Sequence, residues 1–286
     1  MARYRFDAIG TKWDVEFDLE GSADGDALME RMHERIAAFD KHYSRFRADS
    51  LVSEMAARAG TFEMPDDAQP MLDLYFDLNR KTLGAFTPLI GQALSDAGYD
   101  ADYSLVERAM HAPPPLRSVI SYEHPALMLA QPLLLDFGAA GKGYLVDIVA
   151  LMLKDAGAIR AVVDAGGDIA SFGSEIKIAL EDPADASQAI GTAHIQNQSI
   201  CGSAGNRRAW GRFTHILDPR TLESPEGIKA VWVVAETAML ADALTTCLYF
   251  VPPATLLRDY RFEYLVLRPD GSVEASPRFP AELFAR

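Results

Sequence analysis

The sequence predicts an α+β fold in which helices flank mixed and antiparallel sheets, and three observations predict it. Trp13, Val15, Phe17 and Leu19 alternate strictly with Asp14, Glu16 and Asp18, the two-residue period of a strand with one wet face. Apolar runs of strand length crowd the chain beyond residue 118, with two helical segments among them. Helices and hairpins mix without the regular βαβ beat of a doubly wound parallel sheet.

The elements follow in order. After a polar, glycine-containing stretch over residues 20–26, Leu28, Met32, Ile36 and Phe39 recur on one helical face. Leu72, Tyr75, Phe76 and Leu78 mark a second helix ending near Gly84, and residues 104–110 read as a short third. Pro113-Pro114-Pro115 stops helical structure and forms a connector; strands resume at once, so it is not a domain boundary. Strands are predicted over 126–129, 133–136, 160–164, 169–172, 176–180 and 231–234, and helices over about 142–156 and 238–249. Residues 262–267 and those from Val273 onward read as a hairpin turning at Asp270-Gly271. No internal repeat or low-complexity tract interrupts the chain, so residues 1–286 are expected to form a single domain, with room for two subdomains.

Charge narrows the partners. Forty-one acidic residues against 27 basic ones give a net charge of -14, which argues against nucleic acid and anionic membrane surfaces. A nucleotide ligand stays open, because a bound cation neutralises phosphate locally. No apolar run reaches the roughly 20 residues of a membrane span. The N-terminal Met1-Ala2-Arg3-Tyr4-Arg5-Phe6 has no apolar signal core, so the expected location is cytoplasmic, or periplasmic if an export signal has been trimmed. Cys201 and Cys247 have no metal-ligand spacing and read as two buried thiols.

Chemistry concentrates in four places. Leu133-Leu134-Leu135-Asp136 runs into Phe137-Gly138-Ala139-Ala140-Gly141-Lys142-Gly143, where small residues let backbone approach a ligand and a lysine opens a helix. The spacing is neither a Walker A loop nor G-x-G-x-x-G, and alone it reads equally well as a close-packed turn. Asp164-Ala165-Gly166-Gly167-Asp168 reads as a hairpin turn with polar residues. His215, followed by Ile216-Leu217-Asp218-Pro219, offers an imidazole for proton transfer, although a lone histidine at a strand end is more often structural. Asp242 and Thr246 stand at i and i+4, so a helix projects both hard oxygen donors from one face; alone they also read as a solvated aspartate and a back-bonded threonine.

Taken together, these segments resemble the ApbE family, the FAD:protein FMN transferases, from about Ala8 to Pro252. The resemblance rests on Ile9-Gly10-Thr11, Tyr43-Ser44-Arg45-Phe46-Arg47-Ala48-Asp49-Ser50, Gly84-Ala85-Phe86-Thr87-Pro88, residues 136–147, Ala165-Gly166-Gly167-Asp168, residues 215–221 and Ala241-Asp242-Ala243-Leu244-Thr245-Thr246, in the family's order. It implies an ApbE-like, T-fold-like architecture around an FAD cleft. It also implies magnesium-dependent transfer of FMN from FAD to a serine or threonine of an acceptor protein, with release of AMP. By motif, Asp242, Thr246 and the Ala139 carbonyl hold magnesium. FAD lies against Ile9, Phe46, Ala85, Phe86, Thr87, Asp136, Lys142 and Ile216, and His215 is the general base.

Some positions depart from the pattern. Thr87 replaces an aspartate, Gly141 an alanine, Asp164 an asparagine, Ala204 a hydroxyl residue and Leu222 a glycine. None is an implied metal ligand, nor is any of them His215. Residues 270–276 partly resemble the acceptor motif of such enzymes, with Ser276 at the modified position, but a hairpin turn explains them better. Two other readings remain beside the transferase: an FAD pyrophosphatase giving FMN and AMP, and an FAD-binding protein without turnover.

Overall fold

In the computed structural model, residues 1–20 and 24–284 are described; residues 21–23, within the polar stretch that precedes the first helix, lie outside them. The centre is an eight-stranded antiparallel sheet whose strands pair in chain order. They are Ala2–Ala8, Thr11–Leu19, Ala158–Ala165, Asp168–Phe172, Ser199–Ala204, Ala230–Ala235, Phe262–Leu267 and Val273–Ala275. The sheet is thus a meander, and every other described element except the terminal strand Ala281–Leu283 is inserted between its strands.

The predicted alternation sets the sheet's two faces. Trp13, Val15 and Phe17 are buried on one face together with Ala161, Val163, Val231 and Val233. That face carries the helical layer: Gly25–Tyr43, Leu51–Ala57, Ala68–Lys81, Gly141–Asp155 and Ala238–Cys247. Leu28, Met32, Ile36 and Phe39 are buried on the first of these helices, and the Asp24 carboxylate caps its start by accepting from the Asp26 and Ala27 amides. The opposite face presents Ile169, Ile200, Trp232 and Leu265 to Leu180, Ile190 and Ile195 of a small sheet. That sheet joins Glu175–Asp182, Asp185–Gln196 and Ala281–Leu283. A second small sheet, Gly60–Glu63 with Ala126–Leu129 and Ile120–Glu123, edges the helical layer.

Two elements differ from expectation. Residues 133–136 join no described sheet; their backbone bonds go singly, Leu133 N–H to the Met55 carbonyl at 3.0 Å and Asp136 N–H to the Pro88 carbonyl at 2.7 Å. Apolarity there reflects burial in the core, not a ladder. Residues 104–110 are not helical, because Asp100 offers the backbone a local alternative. Its carboxylate accepts from the Ser104 amide (2.9 Å) and hydroxyl (2.7 Å). The chain then folds back, with Arg108 N–H donating to Asp96 at 2.7 Å. The terminal hairpin forms as expected, and both cysteines are free and buried. No described helix is long and apolar enough to cross a membrane.

Candidate active site

The meander brings one edge of the helical layer over the turns at the end of the sheet, and a cleft of about 520 Å³ opens between them. Ile9, Phe46, Ala85, Phe86, Thr87, Asp136, Ala139, Lys142, His215, Ile216, Asp242 and Thr246 all line it. Ile9 and Thr246, 237 positions apart in sequence, therefore share one cavity.

One wall is the Ile9-Gly10 turn joining the first two strands. Both residues have positive φ (46° and 72°), as a two-residue hairpin turn of the primed type requires. A β-branched residue rarely adopts that conformation, so backbone strain is held at the cleft mouth.

A second wall is built on Arg45, which sequence reasoning left out of the site. Its guanidinium is buried, bonds the Asp136 carboxylate, and donates to the Tyr99 carbonyl at 2.7 Å. It lies over the rings of Phe46 (4.1 Å) and Tyr99 (4.8 Å). Asp136 also accepts from the Gly138 amide at 2.7 Å, which fixes the turn before Lys142. Tyr103 stacks on Phe46 with 5.3 Å between centroids, which extends an aromatic surface across the opening.

The segment from Ala85 to Thr87 is clamped from behind. The Thr82 hydroxyl accepts from the Phe86 amide and the Asn79 side chain donates to the Phe86 carbonyl, both at 2.9 Å. Thr87 caps the following 3₁₀ turn through the Leu89 amide at 3.2 Å. Thr87 thus has a capping role in this chain.

The floor is electrostatic. Lys142, in the first turn of its helix, pairs with Asp168 and donates to the Ala165 carbonyl at 3.1 Å. Burial disfavours its charge, but Asp168 and Asp242 outweigh burial and raise its pKa. Asp242 accepts from the Gly143 amide at 3.0 Å. Burial first, then neighbouring Asp168, pushes the Asp242 carboxyl well above the usual range. Two buried carboxylates therefore share one lysine. In the sequence Asp168 stands in a hairpin turn and in the Gly-Gly-Asp motif of the resemblance, with no site role assigned; its pairing with Lys142 depends on the meander.

His215 follows the short strand Phe213–Thr214, and its amide donates to the Arg208 carbonyl at 3.1 Å. Its Nδ1 is enclosed without a hydrogen-bond partner among the described residues. Burial, reinforced by the Arg208 charge, lowers its pKa to about 4, so the imidazole is neutral at physiological pH. Ser276 is not among the cleft residues and bonds Glu263 and the Tyr264 amide on an outer strand.

A lysine, buried carboxylates, a neutral imidazole and an aromatic wall thus meet in one cleft. The fold and that site define an α+β protein with a charged, aromatic-walled cleft at the end of its central sheet. The chain belongs to the ApbE family, whose model matches residues 9–262. It is 27% identical over 265 residues to an FAD:protein FMN transferase of Rhodobacter capsulatus, covering 83% of this chain and 49% of that protein. The chain thus spans about half the length of that relative. It is 25% identical over 309 residues to the FAD:protein FMN transferase of Escherichia coli K12, covering 96% of this chain and 87% of that one. Among solved structures, an ApbE protein of Thermotoga maritima superposes with a TM-score of 0.86 at 20% identity, covering 98% of this chain and 99% of that one. The flavin transferase ApbE of Vibrio cholerae gives 0.81 at 22% identity, covering 97% of each chain. The fold class expected from the sequence is the one observed.

Proposed function

We propose that this protein is an FAD:protein FMN transferase, moving FMN from FAD to a serine or threonine hydroxyl of an acceptor protein and releasing AMP. The observation that carries this is the convergence of Lys142, His215, Asp242 and Thr246 on one cleft walled by Phe46 and Tyr103.

The donor set fits magnesium. Asp242 and Thr246 both line the cleft from one helix, Ala139 supplies a carbonyl, and all three are hard oxygen donors. The charge balance fits as well, since Asp168 and Asp242 are buried beside a single lysine and favour a further cation. When bound, the metal supplies charge neutralisation on the diphosphate.

The chain's own groups do the rest. Aromatic rings at Phe46 and Tyr103 offer stacking to the isoalloxazine, while Ile9 and Ile216 close the apolar side. Lys142 places a positive charge where the diphosphate lies. His215, neutral at rest, accepts the proton of the acceptor hydroxyl as its oxygen bonds the FMN phosphorus. The bond from that phosphorus to the bridging oxygen breaks, and AMP leaves with the bonding pair.

Intact-mass measurement of an acceptor domain incubated with protein, FAD and magnesium, with AMP quantified in parallel, tests this. A mass gain of one FMN that disappears on chelation is the expected result. AMP without a mass gain supports an FAD pyrophosphatase instead, and FAD retained without AMP supports a binding protein.

A further inference from the structure

We infer that a groove on the other side of the Gly166–Gly202 rim receives the acceptor as an extended segment paired to an open strand edge. The inference rests on the transferase reading and names where its protein substrate lies.

A second cavity of about 530 Å³ adjoins the cleft. The two share Gly166, Gly202, Ser203, Ala204 and Arg207, so mostly small residues separate them. Flavin bound against the aromatic wall occupies one side of that rim. A protein hydroxyl must reach the same phosphorus from elsewhere, and this groove is continuous with the cleft.

The groove's chemistry suits a peptide backbone. One wall is the strand Glu175–Asp182, with Ile176, Lys177, Ile178 and Ala179 lining the cavity in succession. That strand pairs on one side with Asp185–Gln196 and is the outer strand of its small sheet, so over residues 176–179 its other edge pairs with no strand among the described residues. An unpaired edge binds an added strand through main-chain hydrogen bonds. The floor supplies a second cue. Trp232 is only 8% exposed, lines the cavity, and its indole N–H has no hydrogen-bond partner among the described residues. Gly202 permits this placement, since a Cβ there would lie 3.0 Å from both Cδ1 and Nε1 of the ring. That N–H is open to the groove, where a carbonyl, which a peptide carries at every residue, would accept from it. Lys177 also has no ion-pair partner among the described residues and offers a charge to an acidic acceptor residue.

Two variants test the groove. Ala179→Trp fills it from an exposed position, and Trp232→Phe removes the indole N–H while keeping an aromatic floor. The probe is a bead-bound library of threonine-containing peptides, read by FMN fluorescence after incubation with FAD and magnesium. FAD affinity is followed in parallel by flavin fluorescence. Labelling is expected to fall at least tenfold in Ala179→Trp and severalfold in Trp232→Phe, with FAD affinity within twofold of wild type. Amide exchange over residues 175–182 is expected to slow when labelled-class peptides bind wild type without FAD. Wild-type labelling that both variants match would overturn the groove and leave the transferase reading intact. Wild type that binds FAD and labels neither peptide nor protein would remove both.

Discussion

The Gly143 amide donates to Oδ2 of Asp242 across 3.0 Å, tying the first turn of one helix to the N-terminal half of another. Only glycine allows the approach: a Cβ at 143 would lie 2.2 Å from the Ala238 carbonyl oxygen and 2.8 Å from Asp242 Cβ. Gly143→Ala must push the two helices apart, at a cost of about 1–3 kcal/mol for overpacking. Thermal unfolding should register that loss. Turnover should fall at least about tenfold, with more magnesium needed for half-maximal rate. Wild-type magnesium dependence in this variant would show that helix spacing does not set the metal ligands.

Asp242 is expected to trade stability for function. Its folded carboxyl holds a proton more tightly than the unfolded one, because burial and Asp168 oppose its charge. The native state then binds more protons above the ordinary carboxylate range, so stability declines as pH rises there. Asp242→Asn keeps an acceptor for Gly143 and removes the charge. Without metal at pH 8 the variant should melt above wild type, yet have no magnesium-dependent turnover. Added magnesium should raise the wild-type midpoint and leave the variant unchanged. Equal shifts in both would move the metal away from this residue.

His215 carries the opposite sign. Its pKa falls from 6.5 to about 4 on folding, so between those values the unfolded chain binds more protons. Stability from this residue is complete above about pH 6.5 and is lost as pH falls towards 4. Relative to His215→Ala, wild type should therefore lose melting temperature across that window. Transfer in the variant should drop at least about a hundredfold, as expected for loss of a general base, with FAD affinity retained. A wild-type rate that halves near pH 6.5, and a variant without that limb, would place a normal histidine pKa in the working site.

The sequence made local patterns legible and left pairings hidden. Trp13 to Leu19 announced their strand because alternate burial on a two-sided sheet writes itself into the residues. Asp242 and Thr246 were legible because helical spacing alone places them together. Arg45 and Asp136 are 91 positions apart, and nothing local to either signals a buried ion pair. The helix expected at 104–110 failed because Asp100 captures the Ser104 amide and hydroxyl, a choice propensity does not record. Residues 133–136 are apolar because they are buried, and burial without a neighbouring strand looks the same in sequence as a ladder.

Asp147 makes another such long-range contact. Its two carboxylate oxygens accept from the Ala238 and Met239 amides at 2.7 and 2.8 Å, capping from another helix the one that carries Asp242 and Thr246. Burial raises its carboxyl to about 6, partly offset by those two amides. Asp147→Ala leaves both amides unsatisfied and should cost about 1–2 kcal/mol, the size of a lost cap. Asp147→Asn keeps one acceptor and should recover about half of that. Because the cap orients the helix that supplies Asp242 and Thr246, the magnesium concentration for half-maximal turnover should rise severalfold in Asp147→Ala. FAD affinity measured without metal should stay within about twofold, since Asp147 is not among the cleft residues. A stability loss with unchanged magnesium dependence would reduce Asp147 to a structural cap; the two moving together, with partial rescue by asparagine, would make it a positioning residue for the metal ligands.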